Sequence, residues 1–101
     1  MNAGDLDTKV KLQKRSATLW EDQTLAWAKV HYLRGSETVI SGRLAGRSTV
    51  IITLRTGSIV RSADTTDWRI KDVATNTVFD IKSIIPGNQF TDFTCQTGGS
   101  G

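Results

Sequence analysis

The chain has 101 residues, a net charge of +3 and a hydrophobic fraction of 38%, which together predict one globular domain with a single core. The only cysteine, Cys95, excludes an intramolecular disulfide, and no cluster of Cys and His provides the four ligands of a structural zinc site. The N-terminal MNAGDLDTKV lacks the basic and apolar regions of a signal peptide, and no apolar run is long enough to span a bilayer. We therefore expect a soluble protein that is not exported and has no membrane partner.

The first strand is predicted over TKVKLQ, residues 8–13, because apolar and polar residues alternate there. The following SATLWEDQT is rich in turn-forming residues and predicts a connection that Trp20 anchors to the core. The second strand is predicted to begin near Thr24 and to run through LAWAKVHYL. Apolar residues on both of its faces indicate a strand that is covered on two sides.

One face of the second strand carries candidates for contacts between subunits. Ala26, Ala28, Val30 and Tyr32 share the other face, which is expected to point to the core. The candidate face is covered either by Trp20 and its connection or by a second subunit, and the sequence leaves both open. The subunit-interface candidates are Leu25, Trp27 and Leu33.

The second half of the chain predicts four more strands. STVIITLR is the clearest, WRIKDV and VFDIKSII form a hairpin around ATNT, and FTDFTCQ is a last strand that closes a meander. Ile85-Pro86-Gly87-Asn88 predicts a type II turn, with Gly87 at the position that needs a positive φ. The fold class is therefore all-β, a small closed barrel of about six mainly antiparallel strands. We expect one domain over residues 1–97 and a flexible GGSG tail over 98–101.

The segment between strands two and three, RGSETVISGRLAGRS (residues 34–48), is the main irregularity of this pattern. It exceeds the usual hairpin loop of about 2–5 residues, and loops of such length in compact domains are usually functional or disordered. Ser36 and Glu37 would suit the start of a short helix, but Gly42 would weaken that helix by about 1 kcal/mol, so a long loop and a short helix both remain open. Positively charged residues are concentrated in this segment and in the residues that follow it. This excess indicates either a polyanionic partner or side chains that only keep a loop soluble.

The sequence predicts neither an enzyme nor a cofactor. GRLAGRS differs from a phosphate-binding P-loop in the spacing of its glycines, in having no Lys and in preceding a strand. Cys95 and His31 lack an orienting third group, so Cys95 is interpreted as a small buried apolar residue. Asp64 and Asp67 could bind a cation, but the preferred interpretation is that they accept hydrogen bonds from turn amides.

Several short motifs stand in a characteristic order along the chain: AGDLDTKVKLQ, Trp20 followed by Trp27-Ala28-Lys29-Val30, Leu33-x-Gly35-x-Glu37, the VIITLR strand and VFDIKSI before a final strand. Their order and spacing resemble the phage head-tail joining family, the head-closure or stopper proteins. The resemblance covers residues 3–96, although the connection from Arg15 to Trp20 is shorter than usual and the segment after Glu37 is broken by glycines.

The resemblance implies a structural virion protein that is assembled in the host cytoplasm and located at the head-tail interface. Its partners would be the portal and adaptor proteins of the phage head, the tail terminator protein, packaged DNA in the channel and further copies of itself in a sixfold or twelvefold ring. The long segment would project into the channel, where weak contacts act together. The candidates for channel-facing residues are Arg34, Gly35, Gly42, Arg43, Gly46 and Arg47.

Two other functions remain open at this point. A tail-completion protein or another connector on the tail side would have the same kind of ring-forming fold. A small nucleic-acid-binding barrel would also be basic, but such proteins present several aromatic side chains on one strand face, whereas the seven aromatic residues of this chain are scattered over positions expected in a core.

Overall fold

The computed structural model describes residues 6–33, 39–40, 43–44 and 49–97, with the backbone alone described for 39–40 and 43–44. Strands dominate these residues, and one short helix interrupts them. The elements are β1 (Thr8–Ser16), β2 (Leu19–Tyr32), β3 (Val39–Ile40), β4 (Arg43–Leu44), β5 (Thr49–Arg55), α1 (Ser58–Ser62), β6 (Trp68–Asp72), β7 (Val78–Ile85) and β8 (Phe90–Gln96).

Six of the strands form a closed barrel in the order β1-β2-β5-β8-β7-β6, in which β6 pairs back to β1. Every pairing is antiparallel, so the predicted fold class is confirmed. The predicted meander is wrong in one respect, because β5 pairs with β8 and is not a neighbour of β6. The chain crosses one end of the barrel between β5 and β6, and α1 lies in this crossing.

The side chains that fill the barrel are the ones that the alternating pattern assigns to the inner face. Val50, Ile52 and Leu54 of β5 are fully buried, as are Val10 and Leu12 of β1. Burying an aliphatic or aromatic side chain contributes about 1.5–3 kcal/mol relative to leaving it in water, so this inner face is the main source of stability. The rest of the buried apolar core consists of Ala28, Val60, Trp68, Ile70, Phe79, Ile81, Phe93 and Cys95.

The second strand begins earlier than predicted, which makes β1 and β2 a long hairpin. Ser16 pairs with Leu19 across a tight turn, and Ala17 in that turn has a φ of 56°. The turn occupies Ala17 and Thr18 alone, so Trp20 belongs to β2 and does not anchor a connection to the core. The prediction failed because an alanine at positive φ carries no sequence signal of a tight turn.

The short helix α1 was not predicted. Its N-cap is Gly57, which has no side chain that could cap the helix, and the first turn contains no acidic residue. Val60 is its buried residue and joins the core at the end of the barrel where β5 ends. So short a helix has neither the apolar periodicity nor the capping residues from which a helix is predicted.

The connection from β7 to β8 differs from the predicted type II turn. Gly87 does not adopt the positive φ that such a turn requires. The glycine is needed for space instead, because a Cβ at this position would overlap the carbonyl oxygen of Phe90. Thr56 holds this connection, since its amide donates to the carbonyl oxygen of Gln89 at 2.8 Å and its hydroxyl to that of Gly87 at 2.9 Å.

The region between β2 and β5 contains a small two-stranded unit where a loop or a helix was predicted. Val39 pairs with Leu44 and Ile40 with Arg43, and neither strand joins the barrel. The predicted helix start at Ser36 and the predicted tail at 98–101 lie outside the described residues.

Candidate interaction surfaces

The barrel holds both ends of segment 34–48 at the same place. Tyr32 pairs with Val50, and the amide of Leu33 donates to the carbonyl oxygen of Thr49 at 3.0 Å. The segment therefore leaves and re-enters the barrel from two adjacent strands. Since α1 follows the other end of β5, the segment and α1 lie at opposite ends of this strand.

The predicted channel-facing residues lie almost wholly outside the described part of the chain. Arg43 is placed by its backbone in β4, opposite Ile40, and its side chain is not described. The others, Arg34, Gly35, Gly42, Gly46 and Arg47, lie outside the described residues.

The three subunit-interface candidates are exposed. Leu25 is 54% exposed, Trp27 is 55% exposed and Leu33 is 38% exposed, so neither Trp20 nor the preceding connection covers them. The ammonium group of Lys9 lies 5.9 Å from the centroid of the Trp27 ring, within the range of a cation–π contact. Leu25 and Trp27 are two positions apart on β2 and so share one face, whereas Leu33 follows the other end of the strand. Neighbouring exposed apolar side chains such as Leu25 and Trp27 mark a candidate surface for binding another macromolecule.

Two open depressions adjoin this part of β2. One of about 480 Å³ is lined by Leu6, Ala26, Trp27 and Arg55. The other, of about 320 Å³, lies between Thr24–Ala26 of β2 and the chain from Arg55 to Val60. Both occur where β5 has ended and β2 continues, so they follow directly from the unequal lengths of these two strands.

Sequence reading missed a polar cluster on the outer face of the long hairpin. Two guanidinium groups lie near the Trp20 ring, with Arg69 at 4.4 Å and Arg15 at 5.8 Å from its centroid. Arg69 donates to the side-chain oxygen of Gln13 at 2.7 Å, and Gln13 donates to Asp22 at 2.7 Å. These residues come from three strands, so only the pairing register brings them together.

Two side chains of this cluster have a lowered pKa. The hydrogen bond from Gln13 is the main cause that lowers the pKa of Asp22, and Lys11 at 3.4 Å acts in the same direction. Partial burial lowers the pKa of Arg69, because removal of water disfavours its charged form. A guanidinium remains charged at neutral pH, so the cluster is a charged surface feature and not a proton-transfer site.

The structure separates Cys95 from His31. Cys95 is fully buried in the core, whereas His31 is exposed on β2. Burial raises the pKa of the Cys95 thiol to about 12, which leaves almost no thiolate at neutral pH. The interpretation of Cys95 as a buried apolar residue is therefore confirmed.

Asp64 stabilises a turn, as predicted. One of its carboxylate oxygens accepts hydrogen bonds from the amides of Thr66 and Asp67, both at 2.9 Å, and these bonds lower its pKa. Asp67 instead forms a salt bridge of 3.2 Å with Arg15, so the predicted turn role is confirmed for Asp64 alone. Within the described ranges no group of three or more His, Cys, Asp or Glu residues is placed to hold a metal ion.

The aromatic residues do not all occupy core positions, contrary to the prediction. Trp68, Phe79 and Phe93 are buried, but Trp27 and Tyr32 are more than half exposed. Trp27 and Tyr32 are five positions apart on one strand, so their side chains point to opposite faces and form no row for base stacking.

These features define a structural or binding protein: a closed β-barrel that presents an apolar strand, a charged outer face and an anchored segment at one end. Over the residues described here, no helix is long and apolar enough to cross a membrane. The family model of the phage head completion protein matches residues 1–98, and the chain belongs to this family. The family consists of structural virion proteins, which makes this chain a component of the phage head that interacts with other head or tail proteins. Comparisons with curated proteins and with solved structures each find no match.

Proposed function

We propose that copies of this chain assemble as a ring below the portal and adaptor proteins, close the channel to packaged DNA and present the surface to which the tail attaches. The observation that carries this proposal is the anchoring of segment 34–48 at one end of the barrel by Tyr32, Leu33 and Thr49. In a ring, every subunit would direct this segment to the same place, and many weak contacts would then act together.

The charge of segment 34–48 suits contact with DNA. Arg34, Arg43 and Arg47 would meet phosphate groups, and Glu37 is the only acidic residue of the segment. Such contacts carry no base specificity and weaken as salt concentration rises. Gly35, Gly42 and Gly46 would let the segment move aside when DNA leaves the head.

The other partners follow from the same arrangement. Leu25, Trp27 and Leu33 form the proposed contact between subunits, while the two ends of the ring face the adaptor and the tail terminator protein. Subunits would be made in the host cytoplasm and would join heads already filled with DNA.

The charge contribution is tested with the double variant Arg43→Glu, Arg47→Glu added to filled heads that lack tails. We expect the variant to fold and to bind heads but to retain less DNA than the wild type, because repulsion replaces phosphate contacts. The matched control is Arg61→Glu, Lys71→Glu, which makes the same change in net charge away from segment 34–48, in the exposed last turn of α1 and on the outer face of β6. Equal retention by both double variants would remove the electrostatic part of the proposal.

A further inference from the structure

The long strand β2 has an edge without a strand partner. Its first side pairs with β1 from Leu19 to Ala28, but its second side pairs with β5 only from Ala28 to Tyr32. In the part of the chain that the structure describes, residues 19–27 are therefore unpaired on the side away from β1. We call residues 19–27 the β2 edge.

A second unpaired edge occurs on β7. This strand pairs with β8 up to Ile85, but its pairing with β6 covers only Val78–Asp80. Residues 82–85, called here the β7 edge, have no strand partner on the side of β6 among the described residues. A register irregularity at Lys82 and the following Pro86 keep this edge short.

The exposed apolar side chains are concentrated on these two edges. In the described ranges five large apolar residues are more than half exposed, and Tyr32 is the one that lies on neither edge. The other four are Leu19, Leu25 and Trp27 on the β2 edge and Ile85 on the β7 edge. Unpaired backbone next to exposed apolar side chains is the combination that favours strand addition.

The two edges carry opposite charges. Glu21 is exposed on the β2 edge and Lys82 is exposed on the β7 edge, and neither forms a salt bridge with another described residue. The neighbouring Asp22 is already engaged by Lys11 and Gln13. The β2 edge and the β7 edge are therefore complementary in charge to each other, whereas two copies of the same edge would repel.

We propose that the β2 edge of one subunit pairs with the β7 edge of the next, which joins the barrels of the ring by strand addition. The inference depends on the proposed ring and specifies its subunit contact. Because the two edges are different surfaces, the contact is heterologous, and repetition of a heterologous contact closes a ring when the rotation between subunits permits it. Main-chain hydrogen bonds would then supplement the burial of Leu25, Trp27 and Ile85. Leu33, which follows the other end of β2, would lie outside this contact.

The direct test is chemical cross-linking of the double variant Gln23→Cys, Ser83→Cys bound to filled, tailless heads. A short flexible bis-maleimide should produce a ladder of covalent oligomers on a denaturing gel, because each subunit contributes one thiol from each edge. Cys95 stays unreactive on the time scale of the reaction because it is buried and its pKa is raised. Gln23→Cys, Ala74→Cys is the matched control, since Ala74 is exposed in the turn between β6 and β7, and it should give no ladder.

A charge-reversal series provides an independent measurement. Glu21→Lys and Lys82→Glu should each lower the affinity for heads by about twofold to fivefold per contact, the range expected of exposed ion pairs. The double variant should recover the wild-type affinity, because the attraction is restored with reversed signs. A double variant as weak as the single ones would contradict the pairing of these edges.

The cross-linking and binding results distinguish a failure of the proposed strand pairing from a failure of the proposed function. If heads bind the protein in multiple copies but Gln23→Cys, Ser83→Cys yields no ladder, the ring stands and the strand pairing is wrong. If wild-type protein does not bind heads at all, the proposed function fails, and the strand pairing fails with it.

Discussion

Asp64 links the stability of the barrel to pH through a single turn. Its carboxylate accepts hydrogen bonds from two backbone amides, which favour the ionised form and hold its pKa below the ordinary aspartate value of about 3.9. The ionised Asp64 carboxylate therefore stabilises the fold fully at pH values above the pKa that Asp64 has in the unfolded chain. This stabilisation is lost as pH falls through the lower pKa that Asp64 has in the folded chain.

We therefore expect the free energy of unfolding to depend less steeply on pH in acid for Asp64→Asn than for the wild type. The asparagine side chain can still accept from the turn amides, but it does not titrate. Urea unfolding of wild type and variant between pH 6 and pH 2 should show a smaller loss of unfolding free energy below about pH 4 in the variant. Identical slopes for Asp64→Asn and wild type would refute the assignment.

Gly87 is the residue at which space, and not backbone torsion, requires glycine. A Cβ there would overlap the carbonyl oxygen of Phe90, and that carbonyl belongs to a barrel strand that cannot shift freely. Gly87→Ala should lower the free energy of unfolding by about 1–3 kcal/mol, the usual cost of overpacking. Gly57→Ala is the control, because a Cβ at Gly57 meets nothing within 4 Å, and we expect a change within about 0.5 kcal/mol. Denaturant midpoints of the two variants measure the difference, and equal losses would contradict this reason for Gly87.

Individual residues could be interpreted from sequence where the cause is local. The turn role of Asp64 depends on amides two and three positions away, and sequence reading found it. The contacts of Trp20 with Arg15 and Arg69 depend on which strands are neighbours, and no local pattern encodes that. The same holds for Gly87, where glycine was correctly identified as necessary but for the wrong reason.

At the scale of elements, the turn of the long hairpin is a site where the natural residue is not the best one. Ala17 has a φ of 56°, and the left-handed conformation costs a non-glycine residue about 1–2 kcal/mol. Ala17→Gly should raise the free energy of unfolding by about 0.5–1 kcal/mol, since the gain exceeds the extra entropy lost by glycine. Ala74→Gly, at an exposed turn residue without positive φ, should instead lower stability by about 0.4–1 kcal/mol. Thermal unfolding of both variants tests this, and a destabilised Ala17→Gly would contradict the argument.

Strands were more predictable than the connections between them. β7 and β8 begin and end at the predicted residues, and β5 and β6 differ from the predicted bounds by one residue. Their alternation reflects a barrel with one buried and one exposed face, which is a local signal. The start of β2 and the helix α1 were missed because each depends on backbone geometry that an alanine and a glycine do not reveal.

For the whole molecule, the unequal lengths of neighbouring strands produce the two proposed binding edges. β2 continues beyond the end of β5, and β7 continues beyond its pairing with β6. Among the described residues, both extensions lack a strand partner on one side and carry exposed apolar side chains. Sequence reading selected Leu25 and Trp27 for this role from their place on a two-sided apolar strand, but it did not select Leu19, Ile85 or the two edges. The edges exist only once the register of the barrel is known.

The proposed function is closure of the DNA channel of a filled head. The most direct measurement is the nuclease sensitivity of DNA in filled, tailless heads from a phage that lacks this protein, with and without purified protein added. We predict that added protein co-sediments with the heads and protects their DNA from digestion. Protein that binds the heads without protecting DNA would contradict closure and favour a connector on the tail side, and protein that ignores heads but binds free DNA at low salt would favour a nucleic-acid-binding barrel.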